Sequence, residues 1–149
     1  YYSLGGIKPL RENTTVLRKI ANKKNLKIKV ITPFAYLKLN DEMIEMHPDV
    51  GPEEFLELIY NANMIVTDSY HGTILAVNLN KEVYSLCENF GSEFRKTDIL
   101  KRIGLDDRII YDINSLHNEF KKIDYSRINS ILESLRNDSY SYLKKALID

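Results

Sequence analysis

The sequence gathers its most reactive side chains in one short run, Asp68-Ser69-Tyr70-His71-Gly72-Thr73. An imidazole titrates near neutral pH, so His71 is suited to donate to an anion or to transfer a proton. Ser69 and Thr73 add hydroxyl donors, and Gly72 has no side chain to keep a ligand off the backbone. Where such a run ends a strand and opens a helix, the unpaired amides of the first turn favour an anion, and a phosphate fits there. By itself a histidine before a glycine is a weak signal, because many such residues cap a helix or bond a backbone carbonyl. Asp68 reads equally well as a partner that orients His71 and as a turn or capping residue.

The flanking sequence supplies the elements that would position this run. Met64-Ile65-Val66-Thr67 suits a short buried parallel strand leading into it, and Gly72 to Leu79 predicts a small helix leading out. Gly51-Pro52-Glu53-Glu54 opens an earlier helix, with proline at the first helical position, two carboxylates at the positive end of the dipole, and Phe55, Leu56, Ile59 and Ala62 as the buried stripe. Before that, Val16, Leu17, Ile20 and Ala21 have helical spacing. Leu26, Ile28 and Val30 alternate with lysines before Ile31, in a strand that Pro33 ends. The stretch from Pro33 to Val50 lacks periodicity and reads as a long loop.

Downstream, Val83 to Leu86 reads as a strand, Ser92 to Ile103 as a helix ended by Gly104, and Ile109 to Tyr111 as another strand. From Asp124, residues Ile128, Ile131, Leu132, Leu135, Leu143 and Leu147 keep helical spacings, with Asn137-Asp138-Ser139 as a cap or break midway. Strands alternating with helices predict an α/β fold, a Rossmann-like parallel sheet with helices on both faces. In such a sheet ligands bind beyond the carboxyl ends of the strands, where Asp68 to Thr73 falls.

A length of 149 residues with 44% apolar content predicts one compact domain. Its 21 basic and 21 acidic residues cancel, so no global field draws it to nucleic acid or an anionic membrane, and any anion must be met locally. Cys87 is the one cysteine, which excludes an internal disulfide and a multi-thiolate metal site, fits a reducing cytoplasmic setting, and reads as a small buried hydrophobe. No apolar run approaches the roughly 20 residues that span a bilayer, so a soluble protein is expected. The opening Tyr1-Tyr2-Ser3-Leu4 reads as the inside of a strand belonging to something longer.

His47 and His117 lack metal-ligand spacing with His71 and read as solvated, so no metal is expected. Tyr125, Tyr140 and Tyr142 read as helix packing, whereas Tyr36 and Tyr70 sit in loops that can reach a ligand. Asn13 and Asn137 match the glycosylation pattern, which matters only in a secretory compartment. Lys23, Lys24, Lys27 and Lys29 form a wet surface, with a weak attraction to lipid-linked substrates at the inner face of a membrane as a second use.

Gly51-Pro52-Glu53-Glu54-Phe55, then Ile59, Asn61-Ala62 and Val66-Thr67-Asp68-Ser69-Tyr70-His71-Gly72-Thr73, resemble the hallmark block of the polysaccharide pyruvyl transferase family. Tyr70 stands where phenylalanine is more common. Arg95, Gly104-Leu105, Asp107-Arg108 and the segment from Ser139 to Leu147 are similar to the family's tail.

The resemblance implies the carboxy-terminal domain of a two-domain, GT-B-like enzyme that moves the enolpyruvyl group of phosphoenolpyruvate onto two sugar hydroxyls, making a pyruvate ketal in exopolysaccharide, capsule or cell-wall glycan synthesis. It implies phosphoenolpyruvate as donor substrate with no separate cofactor, a saccharide or lipid-linked glycan as acceptor, and an amino-terminal domain for much of acceptor recognition, without which this domain would be inactive. His71 would be the catalytic acid, with Ser69, Gly72 and Thr73 holding phosphate or carboxylate and Arg95 as charge partner. Some relatives carry arginine where this chain has Ser69, which removes a permanent charge from the expected anion site. The rival readings are a GT-B glycosyltransferase domain binding a nucleotide sugar, for which the sequence offers no convincing ribose carboxylate, and a non-catalytic binding domain of the same fold.

Overall fold

The computed structural model describes residues 1–2, 7–33, 39, 41–87, 94–116 and 121–147. The helices are α1 (Ile7–Lys24), α2 (Pro52–Asn61), α3 (Tyr70–Asn78), α4 (Phe94–Arg102) and α5 (Tyr125–Ala146). The strands are β1 (Ile28–Thr32), β2 (Ile44–Pro48), β3 (Met64–Thr67), β4 (Glu82–Leu86) and β5 (Ile109–Ile110). Single 3-10 turns cover Asp106–Arg108 and Ile113–Ser115.

All strand pairs are parallel. β1 pairs with β2 from Ile28↔Ile44 to Thr32↔Pro48, while β4 pairs with β3 (Met64↔Glu82) and with β5 (Ser85↔Ile109). The two groups meet through the first two residues, because Tyr2 bridges Ile31 on one side and Thr67 on the other. The Ile31 amide donates to the Tyr1 carbonyl at 2.8 Å, and the Tyr2 amide to the Val66 carbonyl at 3.0 Å. Across the sheet the order is therefore β2, β1, the Tyr1–Tyr2 segment, β3, β4, β5.

The strands alternate their side chains between two separate cores. Val66, Tyr84, Leu86 and Ile110 join Leu10, Leu17, Ile20 and Ala21 of α1. Their sequence neighbours Ile65, Val83, Cys87 and Ile109 join Ile59 of α2, Ala76 and Val77 of α3, Leu100 of α4 and Ile128 of α5. A period of two thus feeds opposite faces, and each face is closed by helices. The architecture is the expected α/β sheet with flanking helices.

Several elements differ from the expectation. The segment read as a loop from Pro33 to Val50 contains β2, whose Ile44 is buried while Glu45, Met46, His47 and Pro48 stay partly or fully exposed. An edge strand with one inward anchor shows little alternation, and Pro48 is tolerated at its end. His47 is only partly solvated: its side chain is 15% exposed, with Nε2 2.9 Å from Glu45 Oε1. Tyr36 and His117 lie outside the described residues, as does Ser92, the expected start of α4.

Leu56 lies at the outer edge of the α2 stripe and is 44% exposed, so Ile59 anchors that helix. The α5 helix runs unbroken through Asn137-Asp138-Ser139, the Ser139 hydroxyl bonding back to the Leu135 carbonyl at 2.8 Å. Tyr140 and Tyr142 do not pack within the chain, being 72% and 73% exposed. Asn13 is 3% exposed inside α1 and donates to the Tyr1 hydroxyl, which leaves its amide no access to a glycosylating enzyme. Cys87 is buried and forms no disulfide.

Gly104 ends α4 as expected. Its φ of +74° suits glycine, and the bonds Leu105 N to Leu100 O (2.7 Å) and Gly104 N to Lys101 O (3.0 Å) close the helix in a Schellman arrangement.

Beyond β4, Arg108 is 3% exposed and donates to the Tyr84 hydroxyl at 2.7 Å and to Glu82 Oε2 at 3.2 Å. Burial pushes the Tyr84 hydroxyl up to about 12, against a lowering by Arg108. Burial likewise raises the Tyr125 phenol, whose hydroxyl donates to the Lys81 carbonyl. A folded-state value above the unfolded one means the folded chain holds its proton longer, so this stability is complete below pH 10 and lost as pH rises toward 12. Urea unfolding should therefore give a midpoint at pH 11 clearly below that at pH 9. Equal midpoints would show that the two phenols are not protected.

Candidate functional site

β3 carries the chain to the sheet's carboxyl rim, where the strand order reverses. β1 and β2 lie on one side of the Tyr1–Tyr2 segment and β3 to β5 on the other, so the boundary between Tyr2 and β3 is the topological switch point of the sheet. Open parallel sheets bind ligands in the crevice beyond the strand ends at this point. Asp68 to Thr73 occupies it.

Helix α3 begins one residue after Ser69, so Tyr70 and His71 belong to its first turn instead of preceding it. Ser69, 1% exposed, is the N-cap: its hydroxyl accepts from the Gly72 amide at 3.3 Å, and its carbonyl accepts from the Thr73 amide at 3.0 Å. The capping role open to Asp68 thus falls to Ser69. Thr73 is fully buried, its hydroxyl bonded to the Ser69 carbonyl and to Ser85 Oγ, both at 2.9 Å. The fold turns both hydroxyls inward: Thr73 spends its donor on the Ser69 carbonyl, and Ser69, almost fully buried, accepts the Gly72 amide.

Gly72 also has a different task from the one expected. A Cβ there would lie 2.8 Å from Thr67 Oγ1 and 2.9 Å from Tyr2 Cδ1, so glycine lets α3 press directly onto the strands. What faces outward is narrower: the His71 side chain, which is exposed, and the amides of Tyr70 and His71, which have no partner among the described residues. Donors at the start of a helix with an imidazole beside them are chemically suited to meet an anion.

Tyr70 connects this face to the remaining expected residue. Its ring meets His71 edge-on with centroids 5.6 Å apart, and the Arg95 guanidinium lies 4.9 Å over the same ring. Arg95 is exposed, near the start of α4, and the structure brings it together with Asp68 to Thr73 through Tyr70. Tyr70 and Arg95 also line an open groove of about 770 Å³ with Phe94, Arg102, Asp138 and Tyr142. A second cleft, about 510 Å³, lies between β1 and β3 beneath Tyr1 and is lined by residues such as Lys27, Ile28, Asn63 and Met64 toward the amino ends of the strands, away from the rim.

Lys96 was not anticipated. It is 3% exposed, and its ammonium donates to the carbonyls of Asp68 at 2.6 Å and Leu86 at 2.7 Å, where β3 and β4 leave the sheet. The signal in the sequence was slight: Lys96 falls four residues before Leu100 and seven before Ile103, on the buried face of a helix whose other inward positions are aliphatic.

The family model of the polysaccharide pyruvyl transferases matches residues 8–86, more than half of the chain and inclusive of the rim motif. The chain belongs to the polysaccharide pyruvyl transferase family. Within that family match lie His71 and its neighbours on α3, while Arg95 and Lys96 fall beyond it. Among curated proteins no sequence matches the chain. Among solved structures it is similar to the UDP-GlcNAc 2-epimerase of Methanocaldococcus jannaschii, crystallised with UDP-GlcNAc and UDP, at a TM-score of 0.53 and 16% identity. That likeness covers 91% of this chain and 44% of the epimerase chain, and at such identity it speaks for the GT-B-like fold alone. The chain thus spans less than half the length of that relative. No helix among the described residues is long and apolar enough to cross a membrane.

Proposed function

We propose that the chain is the carboxy-terminal domain of a two-domain pyruvyl transferase and presents the phosphoenolpyruvate side of its cleft. The observation that carries this reading is the exposed imidazole of His71 beside the open amides of Tyr70 and His71, at the switch point of the sheet in a chain of this family. The phosphate or carboxylate of the donor binds the two amides, with Arg95 as the mobile cation at the edge. His71 protonates the methylene carbon of the enolpyruvyl group, which leaves an oxocarbenium-like carbon. A sugar hydroxyl adds to that carbon and gives up its proton; phosphate then departs, and a second hydroxyl closes the ketal. Phosphoenolpyruvate and a diol become a pyruvate ketal and inorganic phosphate. No bound metal or redox group enters these steps, the reaction is cytoplasmic, and the acceptor is a saccharide or lipid-linked glycan of envelope or exopolysaccharide synthesis.

In the full two-domain protein, His71→Ala is expected to reduce ketal formation, read as the mass gain on a glycan panel, by at least about a hundredfold, the usual range for loss of a general acid. Unchanged circular dichroism should accompany the loss, since the His71 side chain is exposed. Full turnover in this variant would remove His71 from the mechanism. Tight binding of UDP-GlcNAc with no binding of phosphoenolpyruvate would instead favour a nucleotide-sugar enzyme.

A further inference from the structure

A lysine on the inward face of α4 is costly to bury unless its ammonium is well bonded. Lys96 places its ammonium on the two carbonyls where adjacent strands end, Asp68 after β3 and Leu86 at the end of β4. Asp68 is joined by a peptide bond to Ser69, the residue that caps α3 and holds the Gly72 and Thr73 amides. A cation fixed there acts at the root of the turn that presents Tyr70 and His71. It also adds positive charge beneath the rim at a depth where water screens it poorly.

We propose that Lys96 is the positioning cation of the donor site: it pins the turn between β3 and α3 and supplies the buried positive charge that an anionic donor meets. The proposal deepens the reading of the rim as a phosphoenolpyruvate site and rests on it for the ligand. The pinning is independent of any ligand. Arg95, exposed and stacked on Tyr70, cannot serve the same purpose, because its charge is solvated.

The test uses the full two-domain protein in two variants. Lys96→Met removes both donors and charge, whereas Lys96→Gln keeps N–H donors for the carbonyls and drops the charge. Amide exchange by NMR at Ser69 and Thr73, referenced to Val66 in the core, should quicken at least tenfold in Lys96→Met and stay within threefold of wild type in Lys96→Gln. Calorimetric titration with phosphoenolpyruvate, and separately with inorganic phosphate, should show at least tenfold weaker binding in both variants. Unchanged exchange in a folded Lys96→Met variant overturns the pinning, whatever the ligand. Unchanged anion affinity in Lys96→Gln overturns the electrostatic part, and this variant decides it even if Lys96→Met does not fold. Faster exchange in Lys96→Met, with a wild-type chain that binds neither anion, upholds the pinning, overturns the charge's role and refutes the donor-site reading.

Discussion

Arg108→Met is expected to lower stability by about 3 kcal/mol, the usual cost of removing one partner from a buried ion pair, and so to depress the melting temperature by roughly 6–12 °C for a chain of this size. Arg108 lies over the Tyr84 ring with its guanidinium carbon 5.0 Å from the centroid, and it also donates to the Lys121 carbonyl. Methionine fills the same volume, so the loss measures the network and not a cavity. The guanidinium would be lost to the Tyr84 hydroxyl, the Lys121 carbonyl and one oxygen of Glu82, whose other oxygen accepts from the Ile123 amide at 2.9 Å. The Glu82 side chain is 29% exposed and regains some solvent, which holds the cost below the upper range. The network ties β4 to the turn before β5 and to the approach to α5, so its removal should loosen the far edge of the sheet first. Thermal melts read by circular dichroism check the size of the effect, and a change within about 0.5 kcal/mol, the range of ordinary surface substitutions, would mean the network is neutral.

Gly72→Ala should be the second large effect, and its sign runs against helix propensity. Alanine in place of glycine inside a helix normally stabilises by about 1 kcal/mol. Here the added methyl would stand 2.8 Å from Thr67 Oγ1, an atom that already accepts from the Ser69 amide at 3.0 Å and cannot withdraw without breaking the turn. Tyr2, the other neighbour, has its backbone bridged on both sides and its ring edge-on against Phe55. Overpacking of this kind costs about 1–3 kcal/mol beyond the propensity gain. The methyl should also push the start of α3 off the strand, carrying the Tyr70 and His71 amides with it. A lower melting point together with weaker phosphoenolpyruvate binding is the expected pair of results; an unchanged or raised melting point would show that α3 has room to move.

The parts of the fold that were legible in the sequence are those where local chemistry and tertiary packing agree. Gly51-Pro52-Glu53-Glu54 begins a helix, Met64 to Thr67 is a strand, and Gly104 stops α4, because each is specified by backbone preferences within a few residues. β2 was not legible, since an edge strand with one buried anchor has no period to read. The α5 helix ran on through three residues that favour caps because serine and asparagine on an exposed helix face are only mildly unfavourable. At the candidate site the placement of Asp68 to Thr73 at the rim of the sheet was legible, but the bonding of its side chains was not. Ser69 and Thr73 offer hydroxyls in the sequence, and only the three-dimensional turn shows that the Gly72 amide, the Ser69 carbonyl and Ser85 already occupy them. Lys96 escaped notice for the complementary reason: beside Arg95 it reads as one more surface cation, and its burial depends on which way α4 faces.

At Tyr1 and Tyr2 the sheet passes from β1 to β3, a gap that no direct pairing of those two strands closes among the described residues. What bridges that gap is α1, whose Leu10, Leu17, Ile20 and Ala21 share one core with Ile28 and Val30 on one bank and with Val66, Tyr84 and Leu86 on the other. The helix therefore works as a splint across a fault line. Pulling β1 and β2 away from β3 and β4 would therefore have to peel α1 off one half of its own core.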